Sequence, residues 1–331
     1  MNKWWILVCS AALALGCGSS GTDMGPDDED GGAEPSDMGE GSPLCASAAD
    51  GIEFPVLMAF DGESMVAPDL STRGTRTAPE AAEGTEDVQF TLAAVDFFDE
   101  VPVQGLMIEF FNDNDIPVGG TACTVENGCQ SGTSGGDGTL QVMATPGEWY
   151  AYRILEGEGT REGQPAADDY APVQQINELA EEGSPGVLAA VRQDTISLIA
   201  NLLSVQRQPG TTSISGIAED AAGNELVGVR LQIFDADGRI MFGAGPTDTQ
   251  DFYFVEEFPN AGQDTTSPDG LYGAFNLPQP SDGLLTVVTC GVESAGAPPT
   301  VIGCEQIRGE EDGISVVNVG PLRADGPALC L

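Results

Sequence analysis

A strand–turn–strand pattern occurs twice in this chain of 331 residues. The first copy runs from Asp99 to Asn112 and the second from Gly223 to Asp235, with Gly105 falling on Gly228. Further along, Gly136-Asp137-Gly138-Thr139-Leu140 falls on Pro268-Asp269-Gly270-Leu271-Tyr272. Each copy then has a proline, a turn and a strand: Trp149–Ile154 in the first, Leu284–Thr289 in the second. An internal repeat of this kind restricts the fold to two copies of one supersecondary unit. The period within each unit is two. Leu106, Ile108 and Phe110 form one apolar face, and Val229, Leu231 and Ile233 form its counterpart, with Arg230 and Gln232 on the other side. Ile214–Ala218 has the length and apolar content of a half-buried strand. Ala222-Gly223-Asn224 is a turn, and Asp-Gly pairs between β-formers signal hairpins.

The second copy carries Asp220-Ala221-Ala222-Gly223-Asn224, Leu226-Val227-Gly228-Val229, Asp269-Gly270-Leu271-Tyr272-Gly273-Ala274-Phe275 and Asn276-Leu277-Pro278. These residues resemble the carboxypeptidase regulatory-like family, a transthyretin-like or carbohydrate-binding-like sandwich. Glu225 stands where that family usually has proline. The first copy matches more loosely. The resemblance implies an all-β fold of two antiparallel Ig-like or transthyretin-like sandwich modules, over 88–165 and 211–325, with a tail at 326–331. It implies little about function, because such modules are appended to peptidases, transporters and adhesins alike. Between the copies, Leu188, Val191, Thr195, Ile196, Ile199, Leu202 and Leu203 recur at helical spacing. That spacing predicts a helical bridge over 166–210, with Ser184-Pro185 or Asp194 at a helix start.

The N-terminus suggests export. Lys3 precedes an apolar run, Trp4 to Leu15, too short to span a membrane. It ends in Leu13-Ala14-Leu15-Gly16-Cys17, which resembles a bacterial lipobox. The resemblance implies a signal peptide over 1–16, a lipidated Cys17, and acyl chains that anchor the protein durably to a membrane. Gly18 after the cysteine implies sorting to the outer membrane. Residues 18–43 hold eight acidic side chains and no basic one, so a disordered acidic tether is predicted over 17–43. A short N-terminal segment and linker, 44–87, completes the division.

Composition removes whole classes of chemistry. Eleven basic residues face 53 acidic ones, for a net charge of −42, which repels nucleic acid. There is no histidine, so Ser/His/Asp and Cys/His catalysis and histidine-based zinc sites are excluded. Carboxylate pairs such as Asp96/Asp99/Glu100, Asp168-Asp169 and Glu256-Glu257 are what chance supplies in so acidic a chain. Beyond Cys17, six cysteines remain, an even number suited to disulfides in an exported protein. Proximity predicts Cys123–Cys129 across a turn and Cys290–Cys304 across a hairpin, leaving Cys45–Cys330 by elimination. Calcium is the one cofactor with candidate ligands, Asp113 and Asp115 in one copy and Asp235 and Asp237 in the other, against a reading of these residues as turn formers. Trp149, Tyr150 and Tyr152 could offer a stacking face to a glycan. Together these features predict a lipid-anchored outer-membrane or cell-surface protein that displays non-catalytic sandwiches for binding or scaffolding. An accessory carbohydrate- or protein-binding subunit of a surface enzyme system is the alternative, and a carboxylate-based hydrolase the third.

Overall fold

The structure, a computed structural model, describes residues 43–46, 54–112, 114–117, 123–124, 128–256, 258–279 and 283–331. The expected leader, the lipidated Cys17 and the body of the tether lie outside the described residues. Helix α1 (Pro43–Ala46) and strands β1 (Met58–Phe60) and β2 (Met65–Val66) precede the first copy. That copy comprises β3 (Val88–Asp96), β4 (Val103–Gln104), β5 (Met107–Phe111), β6 (Cys129–Thr133), β7 (Thr139–Ala144), β8 (Trp149–Ile154), β9 (Gly157–Arg161), β10 (Asp168–Tyr170), β11 (Val173–Leu179) and β12 (Gly186–Ala190). Helix α2 (Gln193–Leu202) follows. The second copy comprises β13 (Thr212–Ile217), β14 (Glu225–Val227), β15 (Arg230–Asp235), β16 (Gly238–Arg239), β17 (Gln250–Val255), β18 (Phe258–Asn260), β19 (Leu271–Leu277), β20 (Leu284–Gly291), β21 (Thr300–Arg308) and β22 (Ile314–Val316).

Among the described residues the fold is all-β apart from these two helices, and the repeat extends to strand pairing. In the first copy β3 lies between β7 and β12, while β5 lies between β6 and β8, with β11 beyond β8. In the second, β13 lies between β19 and β22, while β15 lies between β16 and β20, with β21 beyond β20. The same hydroxyl clamp closes both. Ser134 Oγ accepts the Leu106 N–H at 3.0 Å and donates to the Val103 carbonyl at 2.8 Å. Thr266 Oγ1 accepts the Val229 N–H at 3.0 Å and donates to the Leu226 carbonyl at 2.6 Å. The Asp-Gly turns match as well: Gly138 and Gly270 have φ of +74° and +61°, and a Cβ on either would sit 2.9 Å from the carbonyl oxygen of Ala94 or Ala218. Only glycine meets both conditions.

The copies are fused rather than strung. Strand β22 pairs in parallel with β13 on one side and with β11 on the other, Ile314 facing both Ser213 and Val173. One nine-stranded sheet results, in the order β18-β17-β19-β13-β22-β11-β8-β5-β6. Both its faces are covered, so neighbouring residues enter different cores. Phe110, Tyr150, Phe252 and Phe275 pack on one side with Phe90 and Leu92 of β3. Phe111, Ala151, Tyr253 and Ala274 pack on the other with Leu231 of β15 and Val287 of β20. A period of two with both faces buried yields the continuous apolar runs of β8 and β19.

Several expectations are corrected here. The expected helical bridge over 166–210 is helical only at α2, ten residues, while β10, β11 and β12 occupy fifteen of the others. Strand β12 pairs in parallel with β3, Gly186 to Leu92 through Ala190 to Asp96, so Leu188 is a sheet residue. A strand buried on both faces mimics helical spacing, because it too presents apolar residues without alternation. Ser184 sits in a turn, its N–H donating to the Glu181 carbonyl, and Arg192 rather than Asp194 precedes α2. The pairing is not wholly antiparallel, as β12 and β22 show. The 44–87 segment is no separate linker, since β1 pairs with β14.

The disulfides join Cys45 to Cys290, Cys123 to Cys129, and Cys304 to Cys330. The expected pairs Cys290–Cys304 and Cys45–Cys330 are thus exchanged. Strand register explains it: Cys304 lies opposite Val288, and a bulge sets Cys290 opposite Val301. The two thiols are not cross-strand partners, so each reaches an outside cysteine, with Cα separations of 5.7 and 6.5 Å.

Candidate functional site

Where the two copies meet, a cleft of about 470 Å³ opens between six stretches of chain. Trp149 begins β8, and Asn177 and Glu178 end β11. Glu219 leads into the turn after β13, Glu305 comes from β21, and Arg76 and Arg323 come from irregular segments. Each is held locally. The β8–β11 ladder slips between Gln175 and Glu178, and Asn177 takes φ of +63° there. Such a bulge re-aims the side chains beside it. Asn114 fixes it, accepting the Asn177 N–H at 2.8 Å and donating its amide to Asn177 Oδ1 at 2.7 Å. Asp220 builds the adjoining turn by accepting the N–H groups of Ala222 and Asn224, both at 2.9 Å. Its other oxygen accepts the Asp69 N–H at 2.9 Å, hooking the 54–87 segment to the cleft rim.

The far wall is a C-terminal strap. Leu322 N–H donates to the Ile302 carbonyl at 2.7 Å, and Cys330 is bridged to Cys304. Arg323 donates to Glu305 Oε2 at 3.1 Å, and its guanidinium lies 4.6 Å above the Trp149 ring centre. A second cleft, of about 340 Å³, shares Asn177, Glu305 and Arg323 with the first and continues to Asp115 and Arg308.

Three carboxyl groups on this cleft are disturbed in the same direction. Burial pushes Glu178 up to about 7, with only the Gln175 amide opposing. Burial, and then the charges of Glu225, Glu178 and Asp220, push Glu219 up to about 8 against the pull of Arg76. Burial takes Glu305 to about 7 despite Arg323, Asn177 and Arg76. Glu178 and Glu219 keep some surface. No described group donates a hydrogen bond to the Glu219 carboxylate.

Among the candidate site residues read from the sequence, only Trp149 lines this cleft, beside the Asp220–Gly223 turn of the repeat motif. Tyr150 and Tyr152 are 1% and 0% exposed, so the expected three-ring glycan face does not exist. The Tyr152 hydroxyl is spent inside, donating to Gln175 at 2.7 Å and accepting the Ala189 N–H at 3.1 Å. Asp115 lies 3.9 Å from Arg308, and Asp113 lies outside the described residues. Asp235 accepts the N–H groups of Asp237 and Gly238, which is turn-building. Among the described residues no three Cys, Asp or Glu side chains gather in a way that could hold a metal ion. The cluster of Asp96, Asp99 and Asp168 is an ion-pair network. Asp96, 1% exposed, accepts the Tyr170 hydroxyl at 2.9 Å and lies 3.1 Å from Arg192, while Arg161 bridges Asp99 and Asp168. Glu178, Glu219, Glu305, Arg76 and Arg323 escaped the sequence reading, because nothing local in five distant stretches links them.

No described protein family matches the chain, and no curated protein does. Among solved structures it is similar to a shaft pilin of Lactobacillus rhamnosus GG, at 12% identity over 71% of this chain and 98% of that one, with a TM-score of 0.21. The major pilin subunit of Bacillus cereus gives 9% identity over 72% and 99%, with a TM-score of 0.22. The Bacillus anthracis TIE protein gives 11% identity over 72% of this chain, at a TM-score of 0.21, and the chain spans only 34% of that protein's length.

Proposed function

We propose that this chain is an exported, lipid-anchored protein of the outer membrane or cell surface that presents a non-catalytic β-sandwich pair for binding. The observation carrying this is the disulfide set: all six cysteines from Cys45 to Cys330 are bridged, a pattern of oxidising compartments. Lipidation of Cys17 rests on the lipobox resemblance, and acyl chains would supply the anchor. The matched hydroxyl clamps of Ser134 and Thr266 support the reading of two copies of one unit, and the carboxypeptidase regulatory-like reading rests on the sequence resemblance.

The cleft is the proposed binding surface. Its concave shape, mixed charge and single indole suit recognition of a polar ligand. The non-catalytic reading is supported by Asp96, Asp99 and Asp168, each committed to an arginine. An accessory subunit of a surface enzyme system remains the second reading, favoured by Trp149 on the cleft wall.

Membrane fractionation tests the anchor. Cys17→Ser is expected to appear in the soluble fraction or to retain its leader. Normal cleavage together with complete membrane retention would overturn the lipoprotein assignment. Pull-downs from native membranes with the cleft intact, and with Glu219→Gln, separate binding from passive display.

A further inference from the structure

We propose that the cleft binds a primary alkylammonium group, the group that ends a lysine side chain, seated between the carboxylates of Glu178 and Glu219. This deepens the binding reading and rests on it. Glu178 and Glu219 face the same cavity of about 470 Å³ from opposite copies of the repeat. The other acids on and beside the cavity wall have partners, except Glu225, which meets Glu219 at a β-bridge outside the lining and is itself pushed up by burial to about 7. Glu305 accepts from Arg323, Asp325 lies 3.7 Å from Arg323, and Asp220 is committed to its own turn. Glu178 has only the Gln175 amide, and Glu219 accepts no hydrogen bond from a described residue. Neither makes an ion pair within 4.0 Å with a described residue.

A buried carboxylate without a partner is unfavourable, and it is relieved by taking up either a proton or a cation. The structure shows the first route already under pressure, in the upward displacement of both groups by burial. The second route needs a cation from elsewhere. The nearby cation, Arg76, lines the same cavity and opposes the displacement of both Glu219 and Glu305 without cancelling it. Arg323 is held by Glu305 and Trp149. The chain has no further ammonium to offer: its single lysine, Lys3, belongs to the leader reading. An ammonium carries three donors and no acceptor, which suits two carboxylates that receive a single donor, the Gln175 amide, between them. A divalent ion is disfavoured by the absence of a third ligand among the described residues. The net charge of −42 steers cations of any kind toward the protein, so the cleft itself must supply selectivity.

Binding should therefore expel protons. The groups facing Glu219 are Glu225, Glu178 and Asp220, which disfavour its ionisation, and Arg76, which favours it. As pH falls from about 8 to 6, protons refill Glu219 and then Glu178, and affinity should fall with them.

The test is titration calorimetry on the full-length purified protein with N-acetyl-lysine amide, its ε-acetylated form and spermidine. Two buffers of different ionisation enthalpy report proton release. The expected result is binding of the free lysine compound with net proton release, at least tenfold weaker at pH 6 than at pH 8. The ε-acetylated compound should not bind. Glu219→Gln and Glu178→Gln, each checked for an unchanged fold by circular dichroism, should weaken binding tenfold or more. Spermidine binding at equal strength identifies a polyamine as the source of the same group, and weaker binding identifies a lysine side chain. Equal binding of both lysine compounds, or affinity unchanged in both variants, would overturn the proposal, as would calcium competing at micromolar concentration. If no ammonium compound binds while pull-downs still recover a partner that Glu219→Gln loses, the ligand chemistry is wrong and the binding reading stands.

Discussion

Glu219 shows how much one side chain can bias the stability of this protein. Its folded pKa, about 8, lies above the ordinary carboxylate range it would have unfolded. The folded state therefore holds a proton that the unfolded state has released, and stability falls as pH rises between those two values. Glu219→Gln removes the effect. The variant should match the parent near pH 4 and exceed it near pH 8, by on the order of 2 kcal/mol after solvent screening at the cleft mouth. Thermal melts at the two pH values check this, and a variant less stable at pH 8 would show that Arg76 already compensates the charge. The hydroxyl clamp offers a second residue-scale measurement. Thr266→Val keeps the shape but leaves the Val229 N–H and the Leu226 carbonyl with one fewer partner. A loss of about 1–3 kcal/mol is expected by chemical denaturation. Neither residue was conspicuous in the sequence. Thr266 is one of many hydroxyls in turns, and Glu219 one of 53 acids. What made each matter is the partner it meets across the fold.

At the scale of elements, alternation made the edges of the fold legible and hid its middle. Ile108 and Phe110 lie on one face of β5, with Leu106 just before the strand in the same core, and the Asp-Gly turns sit where the repeat puts them. Strand β12 was misread because Gly186-Val187-Leu188-Ala189-Ala190 is nearly apolar throughout, as a strand enclosed on both sides must be. Gly186 carries the local evidence, since a Cβ there would lie 2.3 Å from the Tyr150 hydroxyl and 3.0 Å from Phe90. The C-terminal strap was unreadable for another reason: it has almost no regular hydrogen bonding, and it is held by Cys304–Cys330, Leu322 and Arg323. Cys330→Ser should free it. The bridge closes a 26-residue separation, so the loss should be about 3 kcal/mol in the chain-entropy account. Hydrogen exchange gives the sharper readout. The Leu322 amide should lose protection in Cys330→Ser while the β8 amides keep theirs. Protection retained at Leu322 would mean that the strap is held by packing alone.

For the whole molecule, the decisive feature is that β22 joins the two copies by pairing with β13 and β11 at once. The repeat had suggested independent modules, each with its own core. Instead, the β5 sheet of the first copy continues through β22 as the β13 sheet of the second, and each core borrows residues across the seam. Phe252, Phe254 and Phe275 of the second copy pack with the first core, while Phe111 and Ile176 of the first pack with the second. A fragment spanning 211–325 would therefore present those three phenylalanines to water and leave β22 with an open edge. It would also separate Cys290 from Cys45 and Cys304 from Cys330, losing both native bridges of that half. Removing such long-range links destabilises by several kcal/mol, on the scale of a domain's whole stability of roughly 5–15 kcal/mol. The fragment should thus give a collapsed amide spectrum and bind hydrophobic dye, even under oxidising conditions. The intact chain should melt in a single transition, because neither core survives without the shared sheet. Two separated transitions in the intact protein, or a dispersed spectrum from the fragment, would mean that each copy holds a sufficient core of its own and that the nine-stranded sheet is a contact between finished domains.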